Sequence, residues 1–175
     1  WSVVSTNEAT GTIKVLLIAV PKQIRESYVK VFDRAGLDLE IIEIEALALI
    51  RSLITKDTPS NAIIVDIGAK STGLNIIKNG LLQLTRNVNV GGDTMTDRIA
   101  QSLHITQGRA EEFKKAFGLV QSSFVPEAVK PVLDTIKGEA RQLLTIYQAH
   151  NIKVDQIMII GGGSGIPGIT EFFKD

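Results

Sequence analysis

The sequence contains no cysteine, which excludes disulfides and thiolate metal sites. Histidine is scarce as well. His104 and His150 are the only two, far apart and without ligand spacing, so each reads as a surface or helix-end residue. There is no excess charge of one sign. The 19 basic and 19 acidic side chains cancel to zero, which leaves no electrostatic footprint for nucleic acid or an anionic membrane surface. No apolar run approaches the roughly 18 residues of a transmembrane helix, so direct membrane insertion is not expected. No signal peptide and no repeat at solenoid spacing is visible. What is present is a 175-residue chain, 44% hydrophobic. That suffices for one medium domain, or for a domain plus a small subdomain, around a sizeable core. The plain expectation is a soluble, cytoplasmic α/β protein. The chain starts at Trp1 rather than methionine and stops at Phe172-Phe173-Lys174-Asp175, inside a helical pattern, so a fragment incomplete at both ends is expected.

The front of the chain reads as a small β-α-β unit. Residues 1–11 are polar and form an approach or loop. Residues 12–20 are apolar and branched, hence a strand. Pro21 opens a helix whose Ile24, Tyr28, Val31, Phe32 and Ala35 share one face, and Gly36 stops it. The alternation of Leu37, Leu39 and Ile41 predicts a second strand. Residues 45–54 read as a buried helix, and Lys56 to Asn61 is the best linker. This places a small subdomain at 1–44, a connecting helix and linker at 45–60, and a second domain at 61–175.

The second part begins with three strands, at 62–67, 73–78 and 81–90. Asn79-Gly80 is a hairpin signal between the last two. Helices follow at 94–103, after the Thr106 cap, and from about 126 or 130 to 149. A short strand at 156–160 runs into Gly161-Gly162-Gly163-Ser164-Gly165-Ile166-Pro167-Gly168. Three strands thus each deliver a glycine-bearing turn: Asp66 to Thr72, Gly91-Gly92, and Gly161 to Gly168. The first, Asp-x-Gly-x-x-x-Thr, has two readings. It suits a phosphate and its metal ion, with a carboxylate for a hard cation, a glycine for close backbone approach and hydroxyls as donors. It also suits a plain hairpin turn. Four glycines within five residues in the last turn favour a ligand lying on bare backbone.

Together these motifs resemble the actin-like ATPases, the superfamily of actin, DnaK-type chaperones, sugar kinases and FtsA. Within it the chain most resembles the PilM family of type IV pilus assembly. The matching residues are Val65-Asp66-Ile67-Gly68-Ala69 with Thr72, Thr85-Arg86 leading to Val90-Gly91-Gly92-Asp93, Ala110-Glu111 with Lys114, and the terminal glycine loop. The front matches through Ala19-Val20-Pro21-Lys22, Ala35-Gly36-Leu37 and Ala46-Leu47-Ala48-Leu49. The resemblance implies an actin-like (ribonuclease H-like) fold with a three-layer second domain. It implies ATP and magnesium as ligands. Asp66 would hold the metal through water. Gly68, Ala69, Lys70, Ser71 and Thr72 would line the β- and γ-phosphates. Gly91 and Gly92 would lie near ribose and phosphates, Glu111 and Lys114 would contact adenosine, and Gly161, Gly162, Gly163 and Ser164 would pack on adenine and ribose.

Glu111 and Lys114 also read as an ordinary i,i+3 ion pair, and Glu111 can equally pair with Lys115. Glu45 occupies the place of an acid that polarises the attacking water in some relatives, a general-base candidate. The preferred reading of Glu45 is a helix-start acid that complements the dipole. The resemblance further implies a scaffold role on the inner membrane, reached through the cytoplasmic tail of a PilN-like pilus protein, with self-association as a further option. FtsA-type filament formation and an actin-fold sugar or metabolite kinase are the alternatives. No acid facing an acceptor hydroxyl stands out for the kinase. Nothing before residue 60 carries the Asp-x-Gly-Ser/Thr pattern of a first phosphate loop. Weak nucleotide binding and little or no hydrolysis are therefore expected of this chain.

Overall fold

The computed structural model describes residues 2–55, 61–120, 124–148 and 153–174. The chain divides into two compact units, Trp1–Ala48 and Leu49–Asp175.

The first unit opens with a hairpin of β1 (Ser2–Asn7) and β2 (Thr12–Leu16). The expected loop at 1–11 is therefore largely a strand. Its β-branched residues pair with β2, and Asn7 makes the turn by accepting from the amides of Ala9 at 3.1 Å and Thr10 at 3.3 Å. Gly11 completes the turn at φ 66°. Helix α1 (Lys22–Ala35) follows, capped by Gly36 in the left-handed region. The strand expected at 37–41 does not form, so the unit is a hairpin plus helix rather than β-α-β. Leu37, Leu39 and Ile41 alternate, but a strand also needs a ladder partner, and among the described residues 37–41 pair with none. Helix α2 (Glu45–Leu53) spans the division between the units. The linker expected at 56–61 lies, except for Asn61, outside the described residues, as does His150.

The second unit is built on a four-stranded sheet ordered β5-β4-β3-β6. Strands β3 (Ala62–Ile67), β4 (Thr72–Lys78) and β5 (Leu81–Val88) form an antiparallel meander, and β6 (Gln156–Ile160) joins β3 in parallel. Asn79 and Gly80, both at positive φ, make the β4–β5 turn. Register sorts the side chains. Ile63, Val65 and Ile67 face Ile76, Leu74 and Thr72 across the β3–β4 ladder on one side of the sheet. Ala62, Ile64 and Asp66 face Ile77, Asn75 and Gly73 on the other. Both sets of apolar residues are fully buried, so the sheet is covered on each side.

The main core joins the first of these faces to three helices: α3 (Gly92–Leu103), α4 (Gln107–Phe117) and α5 (Val125–Gln148). Met95 and Ile99 of α3, Ala110 of α4, and Val129, Leu133, Ile136 and Leu143 of α5 fill it. The stripe on α5 follows the helical period read from sequence, and Pro131 is tolerated within the helix. His104 is a helix-end residue, the left-handed C-cap of α3. Thr106 caps α4 by accepting the Arg109 amide, and Gly118 ends that helix. Helix α6 (Ile169–Lys174) closes the described chain.

This topology decides where chemistry gathers. β3 and β5 both run opposite to β4, and β6 runs with β3. The carboxyl ends of β3, β5 and β6 therefore lie at one end of the sheet, where α/β proteins bind ligands.

Candidate functional site

Three turns meet at that end. The turn after β3 is central. Gly68 N–H donates to the Ser71 carbonyl at 3.0 Å, which folds residues 69–71 into a tight projection. Among the described residues, the amides of Ala69, Lys70 and Ser71 donate no hydrogen bond. Consecutive undonated amides in a turn can form an anion-binding concavity. The carboxylate of Asp66, at the end of the strand that feeds this turn, makes no hydrogen bond or ion pair among the described residues. Burial pushes its carboxyl pKa above the usual 3.8.

The turn after β5 clasps this projection from one side. Gly92 N–H donates to Gly68 O at 2.9 Å, and Asp93 N–H donates to Ala69 O at 2.8 Å. The approach is so close that a Cβ on Gly91 would stand 2.6 Å from both of those carbonyl oxygens. Thr72 completes the clasp. Its hydroxyl is fully buried and donates to the Val90 carbonyl at 2.8 Å. It therefore fastens two turns together, and its proton is committed to Val90 instead of being free for a phosphate, contrary to the role expected from sequence.

The turn after β6 leans on the other side. The register that sets Asp66 opposite Ile160 carries the next residue, Gly161, onto the Asp66 carboxylate. Gly161 adopts φ 78° and ψ −179°, and a Cβ there would collide with Asp66 Oδ1 and sit 2.7 Å from Ile67 O. Gly163 packs equally closely on the Ile67 side chain. Gly162–Gly165 then forms a 3-10 turn, closed by Ser164 Oγ donating to Gly161 O at 2.8 Å. That bond occupies the Ser164 hydroxyl within its own turn.

Between the turns lies a cavity of about 430 Å³. The first turn contributes Gly68 and Ala69, the second Gly92 and Asp93, the third Gly162, Gly163, Gly165 and Ile166, and α4 contributes Glu111, Lys114 and Lys115. Seven of the residues expected from sequence thus line one space. Gly91 and Gly161 support it from behind, while Asp66, Lys70, Ser71, Thr72 and Ser164 are adjacent without lining it. Glu45 belongs to the first unit, in the first turn of α2, and lines a separate apolar groove. The helix-start reading suits that position. Asp93, Lys115, Gly165 and Ile166 were missing from the expected set. Asp93 follows the Gly-Gly pair and Lys115 sits one turn from Glu111, so both carried a positional signal.

The polar wall on α4 is strongly organised. Glu111 Oε2 lies 2.6 Å from Lys114 Nζ and 2.6 Å from Thr96 Oγ1, and Oε1 lies 3.3 Å from Lys115 Nζ. Burial alone would raise the Glu111 pKa, but hydrogen bonds from Lys114 and Thr96 and the Lys114 charge outweigh it and hold it near 2. The carboxylate is therefore ionised at neutral pH, and the side chain, about a third exposed, lines the cavity. Among the described residues no group of three or more His, Cys, Asp or Glu gathers as a metal site. A magnesium ion held by one carboxylate, waters and phosphate oxygens needs no such group, and the lone carboxylate of Asp66 fits it.

Comparison with known proteins follows the same lines. A structure described as the PilM-PilN type IV pilus biogenesis complex superposes with TM-score 0.70 at 23% identity, covering 86% of this chain and 44% of that one. MreB5 of Spiroplasma citri, solved bound to ADP, superposes with TM-score 0.66 at 26% identity, covering 88% of this chain and 58% of its own. Cell division protein FtsA of Pseudomonas aeruginosa is 30% identical over 187 residues, 93% of this chain and 45% of FtsA. FtsA of Streptococcus pneumoniae is 27% identical over 190 residues, 91% of this chain and 40% of FtsA. The chain spans less than half the length of these curated relatives. Its fold is that of the actin-like ATPases. The family model described as type IV pilus assembly protein PilM matches residues 1–175, and the chain belongs to that family.

Proposed function

We propose that the second unit binds ATP with magnesium and that the chain acts as a nucleotide-dependent scaffold in type IV pilus assembly. The observation that carries the nucleotide reading is the turn after β3. It combines three undonated amides with an unpartnered carboxylate at the side of a cavity whose α4 wall holds an ionised Glu111. Amides and a cation-bearing carboxylate suit a polyphosphate, and a second carboxylate suits ribose hydroxyls. Asp66 would hold magnesium through water, and residues 69–71 would cradle the phosphates. The glycine turn at 161–165 would take the adenine face. Calorimetry with MgATP tests this directly. Binding heat is expected, Asp66→Asn should lose the part of the affinity that magnesium supplies, and no heat with the wild-type chain overturns the reading.

The scaffold reading adds a partner. The first unit carries a groove of about 610 Å³ lined by Val20, Ile24, Tyr28, Phe32 and Ile41 among others. We propose that it receives the apolar cytoplasmic tail of a PilN-like membrane protein, which would bring the chain to the inner membrane from the cytoplasm. A labelled tail peptide should bind with an anisotropy change that weakens at least tenfold in Tyr28→Ala. Undiminished binding would refute the groove. The FtsA relatives support a second reading, filament formation on membranes. ATP-dependent pelleting with lipid vesicles would favour it over the pilus scaffold.

A further inference from the structure

Lys114 is the least expected member of the site. It is a lysine, yet only 6% of its surface is exposed, and such burial is rare without complete pairing. Its pairing is complete. Nζ donates to Gly92 O at 2.9 Å and to Thr96 Oγ1 at 2.8 Å, and it meets Glu111 Oε2 at 2.6 Å. An ammonium has three N–H donors, and all three are committed within the protein. None is left to reach a nucleotide.

The committed partners explain what this does. Gly92 is gripped at both ends. Its carbonyl is held by Lys114 and its amide donates to Gly68 O in the central turn. Asp93, the next residue, donates to Ala69 O. A continuous line of polar contacts therefore runs from α4 through Lys114 and Gly92 into the turn that carries the undonated amides. Thr96 sits beside that line, its hydroxyl 2.9 Å from Gly92 O and 2.6 Å from Glu111 Oε2. Lys115 presents a contrast. Among the described residues it is bonded to Glu111 alone, and it is 74% exposed at the rim.

We infer that Lys114 is a positioning residue that braces the Gly91-Gly92 clasp against α4 and thereby sets the amides of residues 69–71, while the neighbouring Glu111 makes the ligand contact. This rests on the cavity being a nucleotide site. It divides the Glu-x-x-Lys pair into two jobs: the glutamate reads the nucleoside, and the lysine holds the turn after β3 through Gly92.

Two measurements on the chain separate the possibilities. Hydrogen exchange on the ligand-free protein comes first. In Lys114→Met the Gly92 and Asp93 amides should exchange at least tenfold faster, while the β3 amides, which report global folding, remain protected. Thr96→Val, a milder change to the same line, should accelerate the same two amides by a smaller factor, and serves if Lys114→Met does not fold. Unchanged exchange at Gly92 and Asp93 overturns the inference. The second measurement is calorimetry with MgATP and with magnesium tripolyphosphate, which has no nucleoside. Lys114→Met should weaken both ligands by the same factor, whereas Glu111→Gln should weaken ATP at least fivefold more than tripolyphosphate. Loss of ATP with full retention of tripolyphosphate in Lys114→Met would make it a nucleoside contact and overturn the inference. A wild-type chain that binds neither ligand defeats the nucleotide reading, and the exchange result then decides the bracing role by itself.

Discussion

Replacing Gly161 by alanine adds one methyl group and should cost far more than a methyl usually does. Two effects combine. The residue sits at φ 78° and ψ −179°, a region open essentially to glycine alone, and forcing a side chain there costs about 1–3 kcal/mol. The added Cβ would also meet Asp66 Oδ1 and the Ile67 carbonyl oxygen, the latter at 2.7 Å. Overpacking of this kind costs about 1–3 kcal/mol more. The expected loss is roughly 2–6 kcal/mol, a large part of the ~5–15 kcal/mol that stabilises a typical domain. Urea denaturation of the wild type and variant gives the difference directly. Gly162→Ala and Gly165→Ala are the controls. Neither has a positive φ or any atom within 4 Å of the added carbon, so each should stay within about 0.5 kcal/mol of wild type. The double variant Gly161→Ala with Asp66→Ala isolates the side-chain collision. It should recover only part of the loss, because the backbone angle and the Ile67 contact persist. If Gly161→Ala is no worse than the two controls, the packing of the third turn on the turn after β3 is wrong.

Three further outcomes are expected. Glu111 has its pKa lowered from 4.5 to about 2, so its ionised form is favoured by folding. Its contribution is full above the unfolded value and disappears as pH falls through about 2. The stability gap between wild type and Glu111→Gln, measured by urea titration at several pH values, should therefore close between pH 4.5 and about 2. Asp66 has the opposite sign. Burial raises its pKa, so at neutral pH the ionised carboxylate opposes folding. Asp66→Asn should raise the metal-free Tm while abolishing any gain in MgATP affinity from magnesium, and a lower Tm would contradict the desolvated state of the carboxylate. Thr72→Val leaves the Val90 carbonyl without its partner and should cost about 1–3 kcal/mol. Thr72→Ser should restore most of that loss, since it keeps the hydroxyl, and denaturant midpoints decide between bracing and ligand contact.

Much of the second unit was legible in order along the chain. Strands with branched residues, the Asn79-Gly80 turn, the Thr106 cap and the α5 stripe are local signals, and the structure places each within a few residues of its expected position. The small unit was less legible. Leu37, Leu39 and Ile41 alternate as a strand does, but alternation describes only the chain's own backbone, and pairing is a property of two segments. Residues 2–7 show the converse, a stretch read as a loop that becomes a strand because β2 offers its branched residues a ladder.

For the site, residue type and order by themselves indicated which turns the fold brings together around one cavity. An acid before a glycine, a glycine pair, and a glycine-dense run are each visible without coordinates, because only glycine permits the backbone approaches they make. What each side chain does was decided by the tertiary structure. Thr72 and Lys114 carry groups that suit a ligand, and burial turns both inward, onto Val90 and Gly92. Glu111 and Asp66 are both acids, yet one is held ionised by Lys114 and Thr96 while the other stands without a partner. Sequence specifies which donors and acceptors exist. Only the folded neighbourhood settles which are already spent within the protein and which remain to meet a ligand.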